Sequence, residues 1–195
     1  MSFILEIMDE PAVEMLEKRD YSLFGDLRPI WSDACRRLMV SDRPGTEVFE
    51  VDDALIVTHG EASRDIWNSL ERTPLRDPYS LAETIRGNTV VLSKVDSQTM
   101  VFTDTLGSFP LFYSRDPRQG ILRYSTLYNL LVGPAQNSVD YASVYQFLCS
   151  GYTTGSATLH RGISQFLPGE VHELWPSLGG SVPMKQTFTP NPWIT

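Results

Sequence analysis

Thr103-Asp104-Thr105-Leu106-Gly107-Ser108-Phe109-Pro110-Leu111-Phe112-Tyr113 is the stretch that decides the fold. It lies between two β-rich runs, Met100 to Thr103 and Leu111 to Tyr113. Gly107 permits a tight turn and Pro110 stiffens its exit, so the aromatic pair Phe112-Tyr113 re-enters a sheet. The expectation is a turn joining two strands of one sheet.

Working outward, the chain stays rich in β-branched and aromatic residues from Thr89 to Val95 and again from Ile121 to Tyr124, which predicts further strands. Glu47 to Val51 and Ala54 to Thr58, separated by Asp52-Asp53, read as a hairpin. Phe3 to Met8 reads as a short buried strand. Helical patterns lie between. Val13 and Leu16 suggest one, Ile66, Trp67 and Leu70 a second, and Ser80-Leu81-Ala82-Glu83 is a capping box for a third that stops by Gly87. Ser125 can cap a helix burying Leu127, Leu130 and Leu131. Asp140 can cap another, whose Tyr141, Val144, Tyr145 and Leu148 fall at i, i+3, i+4 and i+7 and predict one buried face. Residues 20–45 carry no pattern clear enough to assign. The Gly-, Ser- and Pro-rich segment after Leu174 reads as linker or irregular tail. Antiparallel hairpins followed by helices and a closing strand indicate a layered α+β domain over 1–175, with 176–195 as linker or C-terminal tail.

Composition bounds the function. The chain has 195 residues, enough for one domain with a sizeable core. Sixteen Lys plus Arg against 24 Asp plus Glu give a net charge of −8. An acidic chain without a basic run is a poor nucleic-acid ligand. Arg36-Arg37 is short and reads as a solvated helix face. No segment approaches the roughly 20 apolar residues of a membrane span. Cys35 and Cys149 form neither a disulfide framework nor metal-ligand spacing, so a reduced, cytoplasmic protein is expected, with both thiols structural. His160 and His172 read as surface residues.

The 103–113 stretch resembles the "RD-x-x-G-x-x-P-L-Y-Y" segment of the asparagine synthase N-terminal domain, a class II glutamine amidotransferase. Leu122-Arg123-Tyr124-Ser125 is similar to that family's "FASE" step. Phe147-Leu148-Cys149-Ser150-Gly151-Tyr152 resembles its "YL-x-x-G-Y". Thr158-Leu159-His160-Arg161-Gly162-Ile163-Ser164-Gln165-Phe166-Leu167-Pro168-Gly169-Glu170 resembles its "T-hydrophobic-aromatic-x-G-I-x-x-L-x-P-G-H". Asp104, Gly107, Pro110, Gly151, Arg161, Gly162, Pro168 and Gly169 are the motif positions. The resemblance implies the αββα sandwich of N-terminal nucleophile hydrolases, two mainly antiparallel sheets between helices. It also implies a nucleophile on the first mature residue, with that residue's α-amino group as base.

Here this chain departs from the family. The position of the family's cysteine is Ser2, and its oxyanion Asn-Gly pair has become His59-Gly60, followed by Glu61. A neutral histidine still donates one hydrogen bond, and removing one oxyanion donor costs on the order of 10²–10³ in rate. Ser2, His59, Gly60 and Glu61 therefore outline a degenerate pocket. Arg28-Pro29 and Arg43-Pro44 are at best remnants of the family's "RGPD" segment. A scaffold without its catalytic set is similar to the N-terminal domains of β-lactam synthetases and lasso-peptide cyclases. There the resemblance implies support of an ATP-dependent amide-forming synthetase rather than glutamine hydrolysis. The expected partner is an adenylating asparagine synthetase-like protein or domain, and a peptide substrate is a further candidate. No cofactor is expected in this chain, ATP and Mg belonging to the partner. Two alternatives stay open: an amidohydrolase using Ser2 to supply ammonia, and a free-standing module binding a small molecule or peptide.

Overall fold

The computed structural model describes residues 3–8, 27–41, 46–51, 54–59, 87–93, 98–116, 118, 120–133, 138–175 and 184–188. These form strands β1 (Phe3–Met8), β2 (Leu27–Ser32), β3 (Arg36–Ser41), β4 (Thr46–Val51), β5 (Ala54–His59), β6 (Asn88–Ser93), β7 (Thr99–Thr103), β8 (Phe112–Asp116) and β9 (Ile121–Ser125). Helices α1 (Tyr128–Leu131) and α2 (Tyr141–Ser150) follow, then β10 (Ile163–Gln165), β11 (Glu170–Leu174) and β12 (Met184–Phe188). The helices expected near Val13, Ile66 and Ser80 lie outside the described residues.

Two six-stranded sheets result, with orders β10-β8-β9-β1-β3-β2 and β12-β11-β7-β6-β5-β4. Every strand pair in both is antiparallel. Alternation along each strand fixes what points inward. Phe3, Leu5 and Ile7 of β1 meet Leu38, Val40, Leu122 and Tyr124 in the first sheet, and Leu55, Val57, Val90, Leu92, Val101 and Leu174 from the second, in one buried cluster. The expected α+β sandwich of two antiparallel sheets is the fold observed. On the outer side of the first sheet, Leu130 of α1 packs with Ile4 and Met39.

Residues 104–111 do not join two strands of one sheet. They carry the chain from β7 in the second sheet to β8 in the first. The turn chemistry was legible, but the change of layer was not, because a turn sequence sets local geometry and not the partner of the strand that follows. Asp104 organises the crossing: its Oδ1 accepts from the backbone of Leu106 and Ser108, both at 3.0 Å. Its carbonyl accepts from Gly107 at 3.1 Å and Gly169 at 2.8 Å. Gly107 has φ +60°, and a Cβ there would stand 3.0 Å from Pro168 Cγ. Gly107→Ala is therefore expected to cost about 1–2 kcal/mol for the left-handed backbone alone, with Pro168 forced to shift besides. A denaturant midpoint equal to that of the parent would refute this.

Several expectations need correction. Arg36-Arg37 lies in β3, not on a solvated helix, and Arg36 is buried. Its guanidinium donates to the carbonyls of Ser93 and Gln98 and to Thr99 Oγ1, at 2.9, 3.1 and 3.1 Å, clamping the first sheet to the second. Asp33 takes its Nε at 2.8 Å, and Trp31 stacks 4.7 Å from it. Ser125 ends β9 and is not the N-cap of α1, although its Oγ accepts from Leu127 N at 3.0 Å. Within the segment read as tail, residues 184–188 form β12, the edge strand of the second sheet. His172 is fully buried rather than at the surface, and Cys149 is exposed.

The largest correction concerns α2. Asp140 caps it as expected, accepting from Ala142 N at 3.2 Å, and Gly151 ends it in the left-handed conformation. Yet its apolar face is uncovered: Tyr141, Tyr145 and Leu148 are 75%, 71% and 77% exposed. Val144 is only half-buried. Val144→Asp is thus expected to cost about 1 kcal/mol, the ordinary size of a point-mutation effect and not that of a charge forced into a core. A loss of several kcal/mol in urea unfolding would mean that this face is covered after all.

Candidate functional site

Strand register places the start of β1 and the end of β5 at one end of the sandwich. β1 begins there, with Phe3 opposite Val40 near the end of β3 and Ile4 opposite Ser125 at the end of β9. Phe112, the first residue of β8, also pairs with Ser125. In the second sheet, β5 ends at His59, which pairs with Thr46 and Asn88, and Asn88 pairs with Thr103. Because 104–111 crosses from Thr103 to Phe112, these ends of both sheets adjoin. The buried Asn88 fastens them, its Nδ2 donating to the Pro110 carbonyl at 3.0 Å. Phe3 N donates to Thr126 Oγ1 at 3.3 Å, and Ser125 Oγ to Phe3 O at 2.8 Å, so the first residue of β1 is held at two points.

His59 sits at this end as a packed residue. Its ring meets Phe109 edge-on at 5.3 Å between centroids, and Nδ1 shares a hydrogen bond with Thr46 Oγ1 at 3.3 Å. Burial pushes its pKa below the ordinary histidine value, because desolvation penalises the charged ring. The neutral imidazole prevails at pH 7. Ser2, Gly60 and Glu61 lie outside the described residues.

The motif positions separate into two groups. Asp104, Gly107, Pro110, Pro168 and Gly169 belong to the two adjoining crossings between the sheets, and Thr103 Oγ1 ties them further by donating to Leu167 O at 2.9 Å. Gly151, Arg161 and Gly162 frame α2 instead. Gly151 N closes the helix on Phe147 O at 2.8 Å, and Arg161 N donates to Ser138 O at 2.8 Å, beside the bridge between Val139 and His160. The left-handed Gly162, φ 80°, then leads into β10.

Two features escaped the sequence reading. The first is an interior polar network. His172 Nε2 donates to Glu170 Oε1 at 2.7 Å, and the Tyr124 hydroxyl lies 3.1 Å from Nδ1. Gln186 of β12 donates to the same carboxylate oxygen at 2.6 Å, and Leu167 N to Oε2 at 2.5 Å. The signal available in the sequence was Glu170-Val171-His172 on a strand, which puts both polar side chains on one face. The second is an open groove of about 480 Å³ beside α2, with Phe112, Tyr128, Phe147 and Tyr152 as aromatic walls. Tyr128 is fixed by His160 Nδ1 at 2.6 Å and by an edge contact with Phe112 at 5.2 Å.

Among the described residues no group of three or more His, Cys, Asp or Glu could hold a metal ion. Among them, too, no helix is long and apolar enough to cross a membrane. No curated protein sequence matches the chain. A family model described as a glutamine amidotransferase domain matches residues 83–180, just over half of the 195. The match takes in the crossings at 104–111 and 166–169, α2 and β11, and the chain belongs to this glutamine amidotransferase domain family.

Proposed function

We propose that this chain is a catalytically degenerate glutamine amidotransferase domain, which supports an ATP-dependent amide-forming synthetase of the asparagine synthetase-like kind instead of releasing ammonia. The observation that carries the reading is His59. Where the resembled family has an asparagine aimed at the developing oxyanion, this chain has an imidazole wedged against Phe109 and bonded through Nδ1 to Thr46. With Nδ1 engaged, at most Nε2 is left to donate, and oxyanion stabilisation depends on donors at fixed distances from the reacting oxygen.

The nucleophile position adds to this. The residue leading into β1 is Ser2, and a serine hydroxyl needs more help from a base than a thiol does. Neither cysteine substitutes: Cys35 precedes β3, where burial raises its pKa and leaves it a protonated thiol, and Cys149 lies in α2. With hydrolysis disfavoured, what the domain offers a synthetase is a surface and a rigid sandwich. ATP and magnesium would act on that partner.

Purified protein incubated with glutamine is expected to release no ammonia above the buffer background. Release that Ser2→Ala abolishes would overturn the proposal in favour of a serine-dependent amidohydrolase.

A further inference from the structure

Residues 141–159 carry no charged side chain, although 21% of the chain is charged and about four would be expected in nineteen. The stretch contains the exposed face of α2 and most of the groove's lining. A charged occupant would lose its hydration there without gaining a counter-charge. The groove therefore suits an uncharged occupant, and its aromatic walls suit proline, whose extended segments dock on such surfaces at low entropic cost. Its volume falls within the range of about 300–1,000 Å³ usual for ligand sites.

The chain contains such a segment. Thr189-Pro190-Asn191-Pro192-Trp193-Ile194-Thr195 has no charged side chain, and its two X-Pro steps favour extended backbone. It follows directly on β12, whose last residue Phe188 pairs with Glu170. Gln165, which lines the groove, is only five residues before Glu170. At about 3.3 Å per residue, five residues bound that separation to about 17 Å, and the turn closed by Glu170 N on Leu167 O shortens it. Pro190 to Trp193 stand two to five residues past Phe188, which matches the span. We propose that the segment Pro190–Trp193 of this chain docks in the groove between Phe112, Tyr128, Phe147 and Tyr152, covering part of the uncharged face beside α2. This inference is independent of whether the domain hydrolyses glutamine.

The exposed Cys149 permits a direct test on the full chain, since Cys35 is buried. The four tryptophans are replaced biosynthetically by 5-fluorotryptophan, Trp193 is assigned by its loss in Trp193→Phe, and a nitroxide is attached at Cys149. Expected is selective loss of the Trp193 fluorine signal by broadening, reversed by reducing the nitroxide. The double variant Phe147→Ala/Tyr152→Ala should restore the signal with the label still oxidised. Both side chains are exposed, and the Trp31 and Trp175 signals report that the fold is intact. A sharp Trp193 signal in the oxidised parent would overturn the proposal, as would broadening that survives the double variant. Broadening transferred from a labelled, unfluorinated copy to an unlabelled, fluorinated one would overturn it too, assigning the groove to a second copy.

Discussion

Glu6→Ala is expected to lower the free energy of unfolding by about 3–5 kcal/mol, the cost of removing one partner from a buried charge pair. Glu6 sits centrally in the first sheet, where β1 pairs with β9 on one side and β3 on the other. Register places Arg123 and Arg37 directly opposite it on those two strands. Arg123 Nε reaches Oε1 at 2.9 Å and Arg37 reaches Oε2 at 3.1 Å, with Glu6 and Arg123 each 1% exposed. One carboxylate thus serves two guanidinium groups, and alanine would leave both cations without it. Glu6→Met combined with Arg123→Met should be much milder than Glu6→Ala, because exchanging both members of a buried pair for apolar side chains is often neutral. Urea unfolding at pH 7 decides this. A Glu6→Ala midpoint within error of the parent, or a double variant worse than the single, would show that the cluster is hydrated and contributes little.

That cluster also shows how far the sequence could be read. Phe3 to Met8 is recognisable as a strand from its apolar run, but Glu6 within it gains meaning only from neighbours more than thirty and more than a hundred residues away. The hairpin of β4 and β5 was legible because its pairing is local and its alternation intact. β2 was not: Pro29 lies within it, and the register shifts between Pro29 and Trp31. Proline is tolerated there because β2 is the edge of its sheet, a fact of topology rather than composition. In α2 the period-3.6 pattern correctly gave a helix with one apolar face. Periodicity says that a face is apolar and not what covers it, and hence Tyr141, Tyr145 and Leu148 were expected inside and lie outside. The candidate site was legible only as residue types. That His59 would be packed on Phe109 depends on a crossing between sheets which no local pattern announces.

Tyr124→Ala is the second change with a large expected effect, about 3–5 kcal/mol, as for other buried aromatic truncations. The ring is fully buried between the sheets, stacked 6.0 Å from Tyr113 and edge-on to Phe166 and His172 at 5.8 Å each. Its removal opens a cavity where β9 faces β11 and strips His172 Nδ1 of its neighbour, while Nε2 remains on Glu170. Tyr124→Phe keeps the packing and loses the hydroxyl, so its cost should fall to about 1–2 kcal/mol, that of an unmet buried hydrogen bond. The two variants also separate by pH. Burial raises the Tyr124 phenol well above its ordinary value of 10.0, with Tyr113 and Glu170 adding to the effect. The folded protein therefore holds this proton when the unfolded chain has released it. The resulting stabilisation is fully present below about pH 10, the unfolded phenol's pKa, and is lost progressively as pH rises beyond it. Tyr124→Phe has no such proton, so the parent's advantage over it should be constant from pH 7 to 9.5 and shrink above pH 10. An advantage that stays constant to pH 11 would mean that the phenol titrates alike folded and unfolded, and that the interior between β9 and β11 is open to water.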